Sequence, residues 1–324
     1  MGPDSVTPAC KFAPSWARIP SMQGLKGKAR AKVAPRRSVH DFVPAPLRPS
    51  TILLGREVRD IAYRAMNVFS KVNARPLFVL GNQKSGTTAI AALLAEATGR
   101  SVTLDLAREV WNPTFHKIPS GELAFDDFVA RNRWGFSREI VKEPNLTLFY
   151  PELLRTFPEA TFLFVLRDPR DNIRSLLNRL NLPGDLDTLP EAAWSTDNPL
   201  STPGWGVVFD ARWRGIPGEH YIDRLAHRWR FCVEVYLANA ARMQLCRYED
   251  FTADKAGKIG ALAETLEYPI VGDLEGRLDY PFQPGGDPSS VWAEFFGLEN
   301  QARIEAICAE GMAEMNYPRE ALDR

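Results

Sequence analysis

Short, nearly continuous apolar runs alternate along this chain with stretches in which apolar residues return every three or four positions. Leu77-Phe78-Val79-Leu80, Val102-Thr103-Leu104, Ile140-Val141 and Phe162-Leu163-Phe164-Val165-Leu166 have strand length and strand composition. Ile90, Leu93, Leu94 and Ala97 follow the first run at helical spacing until Gly99, and Val58, Ile61, Ala65, Phe69 and Val72 mark a helix ahead of it. The pattern predicts strands at 76–81, 101–105, 139–143, 161–167 and 243–248, with helices at 86–98, 147–157, 168–180, 220–242 and from about 252. At one junction the start signals are explicit: Asp168 as N-cap, Pro169 at the first helical position and Asp171 bonding back three residues. Strands alternating with helices predict an α/β fold, a single domain over 51–324 with a central parallel sheet flanked by helices on both faces. Such sheets bind ligands at the carboxyl ends of their strands.

Two stretches break the alternation. Residues 106–138 hold Trp111, Phe115, His116, Phe125, Phe128 and Trp134; residues 183–218 hold Trp194, Trp205 and Trp213 with the acids Asp185, Asp187, Glu191, Asp197 and Asp210. Long connections inside a compact domain are functional or mobile. Aromatic faces beside carboxylates suit a polyhydroxylated or amine-bearing ligand, and the same Trp residues would also serve to pin the loops to the body.

Composition narrows the class. With 324 residues and 45% hydrophobic content the chain buries one large core. Four widely spaced Cys form no C-x-x-C pair, which points away from a disulfide framework or a zinc site and towards a reducing compartment. No apolar run approaches the ~20 residues that span a bilayer. The formal net charge of +0 hides an asymmetry: residues 1–50 carry nine Lys or Arg against Asp4 and Asp41, a net of +7, so the remainder carries −7. This Pro-rich segment reads as a flexible basic arm. The acidic body, with scattered basic residues, gives no basis for nucleic-acid binding.

The chemistry concentrates at two strand–helix junctions. Leu80-Gly81-Asn82-Gln83-Lys84-Ser85-Gly86-Thr87-Thr88 has the frame of a phosphate-binding loop, in which backbone N–H groups and a helix N-terminus face an anion. The usual form is G-x-x-x-x-G-K-[ST], its Lys on the β/γ-phosphates and its hydroxyl on magnesium. Here Thr87 takes the Lys position and the cation moves back to Lys84. A triphosphate with its metal is poorly served, and a smaller, metal-free diphosphate-like group well served. The second junction puts Arg167 at a strand's carboxyl end and Ser175 two turns into the next helix, a guanidinium fork and a hydroxyl suited to a phosphate dianion.

At these residues the chain resembles the sulfotransferases that use PAPS, 3′-phosphoadenosine 5′-phosphosulfate. Lys84-Ser85-Gly86-Thr87-Thr88 matches the family's K-S-G-T-T loop for the 5′-phosphosulfate at every position, and Arg167 and Ser175 have the spacing of the Arg and Ser that bind its 3′-phosphate. Arg247-Tyr248-Glu249-Asp250 is similar to a family segment whose aromatic lies near the adenine; Tyr248 either does that or is a buried structural tyrosine. The resemblance implies a P-loop-like fold and metal-free, in-line transfer of a sulfuryl group from PAPS. The acceptor would offer a hydroxyl, or secondarily an amine, on a small molecule or glycan. Without a membrane span of the kind that holds Golgi-type relatives, it implies a cytoplasmic enzyme of bacterial type.

Such a transfer needs cations for the developing charge and a base for the acceptor proton. Lys84 supplies the first, assisted by Lys142. Cytosolic relatives place a Lys-Thr-His at a strand end with His as base; here Lys142-Glu143-Pro144 stands instead, without that His. Other branches use an acid at the end of the strand after the first helix, where Asp105 stands. The order of candidates for the base is Asp105, then Glu143, then Glu109 and His116. Two rivals remain: a small-molecule kinase or other P-loop nucleotidase, which requires ATP and magnesium, and a non-catalytic module that binds PAP (the desulfated donor) or another anion.

Overall fold

The computed structural model describes residues 56–282 and 291–319. The basic arm expected at residues 1–50 lies outside them. Five strands, β1 (Leu77–Gly81), β2 (Val102–Leu104), β3 (Ile140–Lys142), β4 (Thr161–Leu166) and β5 (Met243–Arg247), form one sheet in the order β2-β3-β1-β4-β5. All four pairings are parallel, with Leu77 beside both Ile140 and Thr161, and Leu104 beside Lys142. The helices are α1 (Arg56–Phe69), α2 (Thr87–Thr98), α3 (Ala107–Trp111), α4 (Phe125–Arg131), α5 (Tyr150–Thr156), α6 (Pro169–Arg179), α7 (Pro203–Phe209), α8 (Tyr221–Ala238), α9 (Tyr248–Ala253), α10 (Lys255–Thr265) and α11 (Trp292–Glu314).

The sheet separates two apolar layers, because alternate strand residues point to opposite faces. Leu77, Val79, Leu163 and Val165 pack with Ile90, Leu93 and Leu94 of α2 and Ile259 and Leu262 of α10. Phe78, Leu80, Phe162 and Phe164 pack on the other side with α6, α8 and α11. That second face is aromatic: Phe78 stacks on Phe162 at 5.7 Å and meets Phe157 edge-on at 5.1 Å. A sheet covered on both faces explains why its strands read as continuous apolar runs.

The structure departs from the sequence-based expectations in several places. The helix expected over 147–157 opens as a 3-10 turn at Pro144–Phe149, started by Pro144 with the Glu143 side chain as its cap. The last mixed unit begins at Tyr248, not near 252, so Tyr248 starts a helix. Asp171 does not bond back to the N-cap: the Asp168 N–H donates to Glu249 Oε1, while Asp171 Oδ1 accepts from Arg174 and from Trp292 Nε1. On α1, Ile61 and Phe69 lie on the open side at 67% and 89% exposure. Tyr63 faces the body instead, edge-on to Trp134 at 6.3 Å, and its hydroxyl donates to Asn132 Oδ1.

The sequence pattern marked no separate element after the helix from about 252, yet α11 packs across α8 and α6. Gly311 lets α11 close on Trp229 and Val233, where an added Cβ would sit 3.1–3.2 Å from their side chains. Arg170 of α6, fully buried, bonds Asp168 and Glu305 of α11, and its guanidinium lies 3.8 Å from the Trp292 ring centre. No described helix is long and apolar enough to cross a membrane.

Candidate active site

All strands run the same way, so their carboxyl ends share one edge, and every residue singled out at a strand end stands along it. The loop after β1 is shaped by three left-handed residues, Gly81 (φ 135), Lys84 (φ 69) and Gly86 (φ 93). At Gly81 a Cβ would meet Val165 O at 2.4 Å, so the loop leaves the sheet only with glycine there. Thr147 clamps the same residue, its hydroxyl accepting from Gly81 N at 2.9 Å and donating to Gly81 O at 3.0 Å. Gly86 is the N-cap of α2, and with no side chain there nothing at the cap competes for the helix's first N–H groups.

The three separate sequence motifs meet at this loop. Arg167 Nη1 donates to Lys84 O at 3.0 Å, and its guanidinium carbon lies 4.5 Å from the Tyr248 ring centre. The Cδ2–Cε2 edge of Tyr248 rests on Gly86, where a Cβ would fall 2.2 Å from the ring. Arg167 Nε is buried with no hydrogen-bond partner among the described residues. Ser175 stands half-buried on the second turn of α6, with no hydrogen bond to this group.

Residues that no motif had marked hold the loop in place. Asn172 of α6, fully buried, donates to Gln83 O and Ser85 Oγ and accepts from Asn82 Nδ2, each at 2.9 Å. Arg228 of α8 reaches Asn82 Oδ1 at 3.1 Å, Gln83 Oε1 at 2.7 Å and Asn145 Oδ1 at 2.9 Å.

Beside the loop opens a cavity of about 760 Å³ whose floor includes Lys84, Thr87, Asp105, Lys142 and Glu143. Because Leu104 pairs with Lys142, Asp105 and Glu143 emerge side by side. Asp105 has φ 120, a strained conformation for a residue with a side chain. Its Oδ1 accepts from Lys142 Nζ at 2.5 Å; the Lys142 side chain keeps 4% of its exposure and that of Asp105 37%. Glu143 is buried, with Oε1 accepting from Asn145 N and Nδ2 and Oε2 accepting from Leu106 N. Burial first, and then the Asp105 charge, push the Glu143 carboxyl up to about 7 against the pull of Lys142. Desolvation likewise raises Asp105, opposed by Lys142. Burial, followed by the positive charges of Arg179, Arg167 and Lys142, lowers Lys84 to about 8.

Of the other base candidates, Glu109 touches the cavity but is committed to Thr114 and Asn132 through hydrogen bonds to both oxygens. His116 is exposed on the 3-10 turn Phe115–Lys117 and is absent from the cavity lining. The Trp residues of the two aromatic stretches fall in two kinds of place. Trp213 stacks on Phe149 at 6.0 Å and donates to Val207 O, and Trp134 packs on Tyr63, so both pin loops. Trp111 and Trp205 line the cavity, with Asp197 exposed at its rim. Arg179, unmarked by any motif, lines it too, 5.3 Å from the Trp205 ring centre.

The chain is similar to several solved structures, among them sulfotransferase STF9 from Mycobacterium avium (14% identity, 81% of this chain and 82% of that one covered, TM-score 0.49) and a sulfotransferase from Alicyclobacillus acidocaldarius (18%, 73% and 97%, 0.40). The sulfotransferase domain of the curacin biosynthetic pathway aligns at 11% identity over 77% of this chain and 100% of that one, TM-score 0.42. No curated protein has a significant match. The model of the sulfotransferase domain matches residues 74–280, a span that takes in β1 to β5 with the loop, Asp105, Lys142, Arg167 and Tyr248, and the chain belongs to the sulfotransferase domain family.

Proposed function

We propose that this sulfotransferase takes its sulfuryl group from PAPS and transfers it to a hydroxyl, secondarily an amine, of a small-molecule or glycan acceptor. The observation that carries the reading is the junction of Lys84, Arg167 and Tyr248. A loop with Thr87 where a nucleoside-triphosphate loop has Lys is bonded to an arginine whose Nε is buried without a partner, and an aromatic ring closes the same corner. Such a corner suits a nucleotide carrying phosphates at two positions. The loop amides and Lys84 would hold the 5′ end, Arg167 with Ser175 the 3′-phosphate, and Tyr248 the purine.

PAPS supplies an activated S–O bond; the chain's own groups then have three tasks. Lys84 offsets charge on the departing phosphate, and Lys142, beside Asp105, offsets charge on the transferring group. Asp105 accepts the acceptor's proton: of the two adjacent carboxylates it is the more exposed, and its Oδ2 carries no hydrogen bond, whereas both oxygens of Glu143 are engaged. Protein cations fill the role a metal would otherwise hold, and displacement runs in line across the cavity floor. Trp111 and Trp205 on the wall and Asp197 at the rim suit a carbohydrate or glycosylated acceptor.

A thermal-shift titration tests the donor. PAP should stabilise the protein without magnesium, because a ligand that binds only the folded state raises its unfolding free energy. Greater stabilisation by ATP with Mg²⁺ would sink the assignment and favour a kinase or nucleotidase. PAP binding without transfer to any of a panel of glycans, phenols, nucleosides and amines, followed by mass spectrometry, would leave a non-catalytic module.

A further inference from the structure

Arg228 is a full positive charge held inside the protein at 0% exposure. Its hydrogen bonds all go to neutral amide oxygens, those of Asn82, Gln83 and Asn145, and its Nη1 has no partner among the described residues. No described carboxylate lies within ion-pair distance of it. A buried guanidinium served only by neutral dipoles is costly unless a counter-charge stands close by. The carboxylate whose charge reaches it is Glu143, and one residue joins them. Asn145 Oδ1 accepts from Arg228 at 2.9 Å, while Asn145 Nδ2 and N donate to Glu143 Oε1 at 3.0 and 3.1 Å. The amide dipole is thus oriented with its negative end on the cation and its positive end on the anion.

Glu143 passes the connection on. Its Oε2 accepts from Leu106 N at 3.2 Å, the first amide after Asp105, the residue held at φ 120. At the other end, Arg228 grips Asn82 and Gln83 of the donor loop. We propose that Arg228, Asn145 and Glu143 form a buried strut that couples the Glu143 carboxyl to the Arg228 charge and, through Leu106, holds Asp105 in its strained conformation in register with the donor loop. Arg228 and Glu143 are positioning residues in this arrangement. Its consequence for catalysis rests on the reading of Asp105 as the base, while its existence does not. The charged groups facing Glu143 are Asp105 from the end of β2, Lys142 from its own strand and Arg228 from α8; the set holds two cations and two anions, so loss of one charge redistributes protons among the rest.

The test is a ¹³C NMR titration of the Asp and Glu carboxyl carbons, with Glu143→Gln and Asp105→Asn used to assign the signals and the Leu106 amide followed in parallel. In the wild type the Leu106 amide should titrate with the same midpoint as Glu143. In Arg228→Met and in Asn145→Leu the Glu143 midpoint should rise by roughly one pH unit or more, the scale of an opposite charge lost at close range. Arg228→Lys, which keeps the charge, should restore most of the shift. Asn145→Leu leaves Arg228 intact and decides the matter if Arg228→Met does not fold; Arg228→Lys decides it if neither does, by a Glu143 midpoint nearer to the wild type than to a free carboxyl in a desolvated site. Unchanged Glu143 midpoints, or a Leu106 amide blind to Glu143, would overturn the strut whatever PAP does. Failure of the wild type to bind PAP would instead overturn the donor assignment and leave the strut standing.

Discussion

The two halves of the site are made of different materials. On the side proposed for the donor the chain offers backbone: left-handed residues at Gly81, Lys84 and Gly86, the uncapped start of α2, and one guanidinium tied to a loop carbonyl. On the acceptor side it offers side chains in charge-balanced groups, Lys142 with Asp105 and Arg228 with Glu143, under a wall of Trp205 and Arg179. Backbone geometry changes little when side chains are exchanged, so the donor side fixes what kind of ligand binds. The acceptor side is where a single substitution redirects chemistry, because each group's protonation depends on its neighbours.

Substitutions at the seam between the halves should break that contrast most strongly. Lys84 belongs to both, and Lys84→Ala is expected to lower kcat by roughly 10²–10³-fold, the range for a lost electrostatic stabiliser, in single-turnover assays with labelled PAPS. Next comes Asp105→Asn, which keeps shape but cannot take a proton: turnover should fall by roughly 10²-fold while PAP affinity, measured by calorimetry, stays within error of the wild type. Should turnover survive there and collapse in Glu143→Gln, the base is Glu143 and the strut ends in it.

A smaller and purely donor-side effect is expected from Arg167→Ala. It should weaken PAP by about 2–3 kcal/mol, as for a hydrogen bond to a charged group, and 5′-AMP far less, since only PAP carries the second phosphate. Equal weakening of both would make Arg167 a clamp on Lys84 O and nothing more. Smallest is a pH effect. Lys84, lowered to about 8, is charged below that value and neutral above it, so PAP affinity should decline as pH rises through 8, by about tenfold or less, and the decline should vanish in Lys84→Ala. The free protein should show the opposite trend over the same range: between about 8 and the ordinary Lys value of 10.5 the unfolded chain binds the proton that the folded one has released, so stability rises with pH.

What could be read from sequence follows the same division. The strands, the loop after β1 and the place of Arg167 at a strand end were legible because each belongs to a strand–helix junction, where a buried run, a Gly and a cap occur within about a dozen residues. Tyr248 was read as the end of a strand, near the adenine or buried, and not as a helix start, since Arg247-Tyr248-Glu249 carries no strong cap. Arg228 was invisible: in Ala226-His227-Arg228-Trp229-Arg230 it reads as one of several polar residues on a helix, and only partners 83 to 146 positions away make it a buried one. His116, last of the base candidates, stands exposed beside the buried Phe115 and outside the cavity lining, a placement that nothing in its local sequence marks. On α1 the apolar positions marked the helix but not its buried side, because Tyr63 and Asn67 are held by hydrogen bonds that no periodicity records.

The match to the family ends at residue 280, but the fold does not. Helix α11 supplies Glu305 to the buried Arg170 and Gly311 to the surface of Trp229, and Arg170 sits two residues from Asp168, the cap of the helix that carries Asn172 and Ser175. A boundary drawn by likeness therefore cuts through a cooperative unit. A protein shortened to the matched span would uncover the apolar side of α8 and leave Arg170 with one of its two carboxylates. Every motif residue would still be present, in a polypeptide without the means to hold them at their working distances.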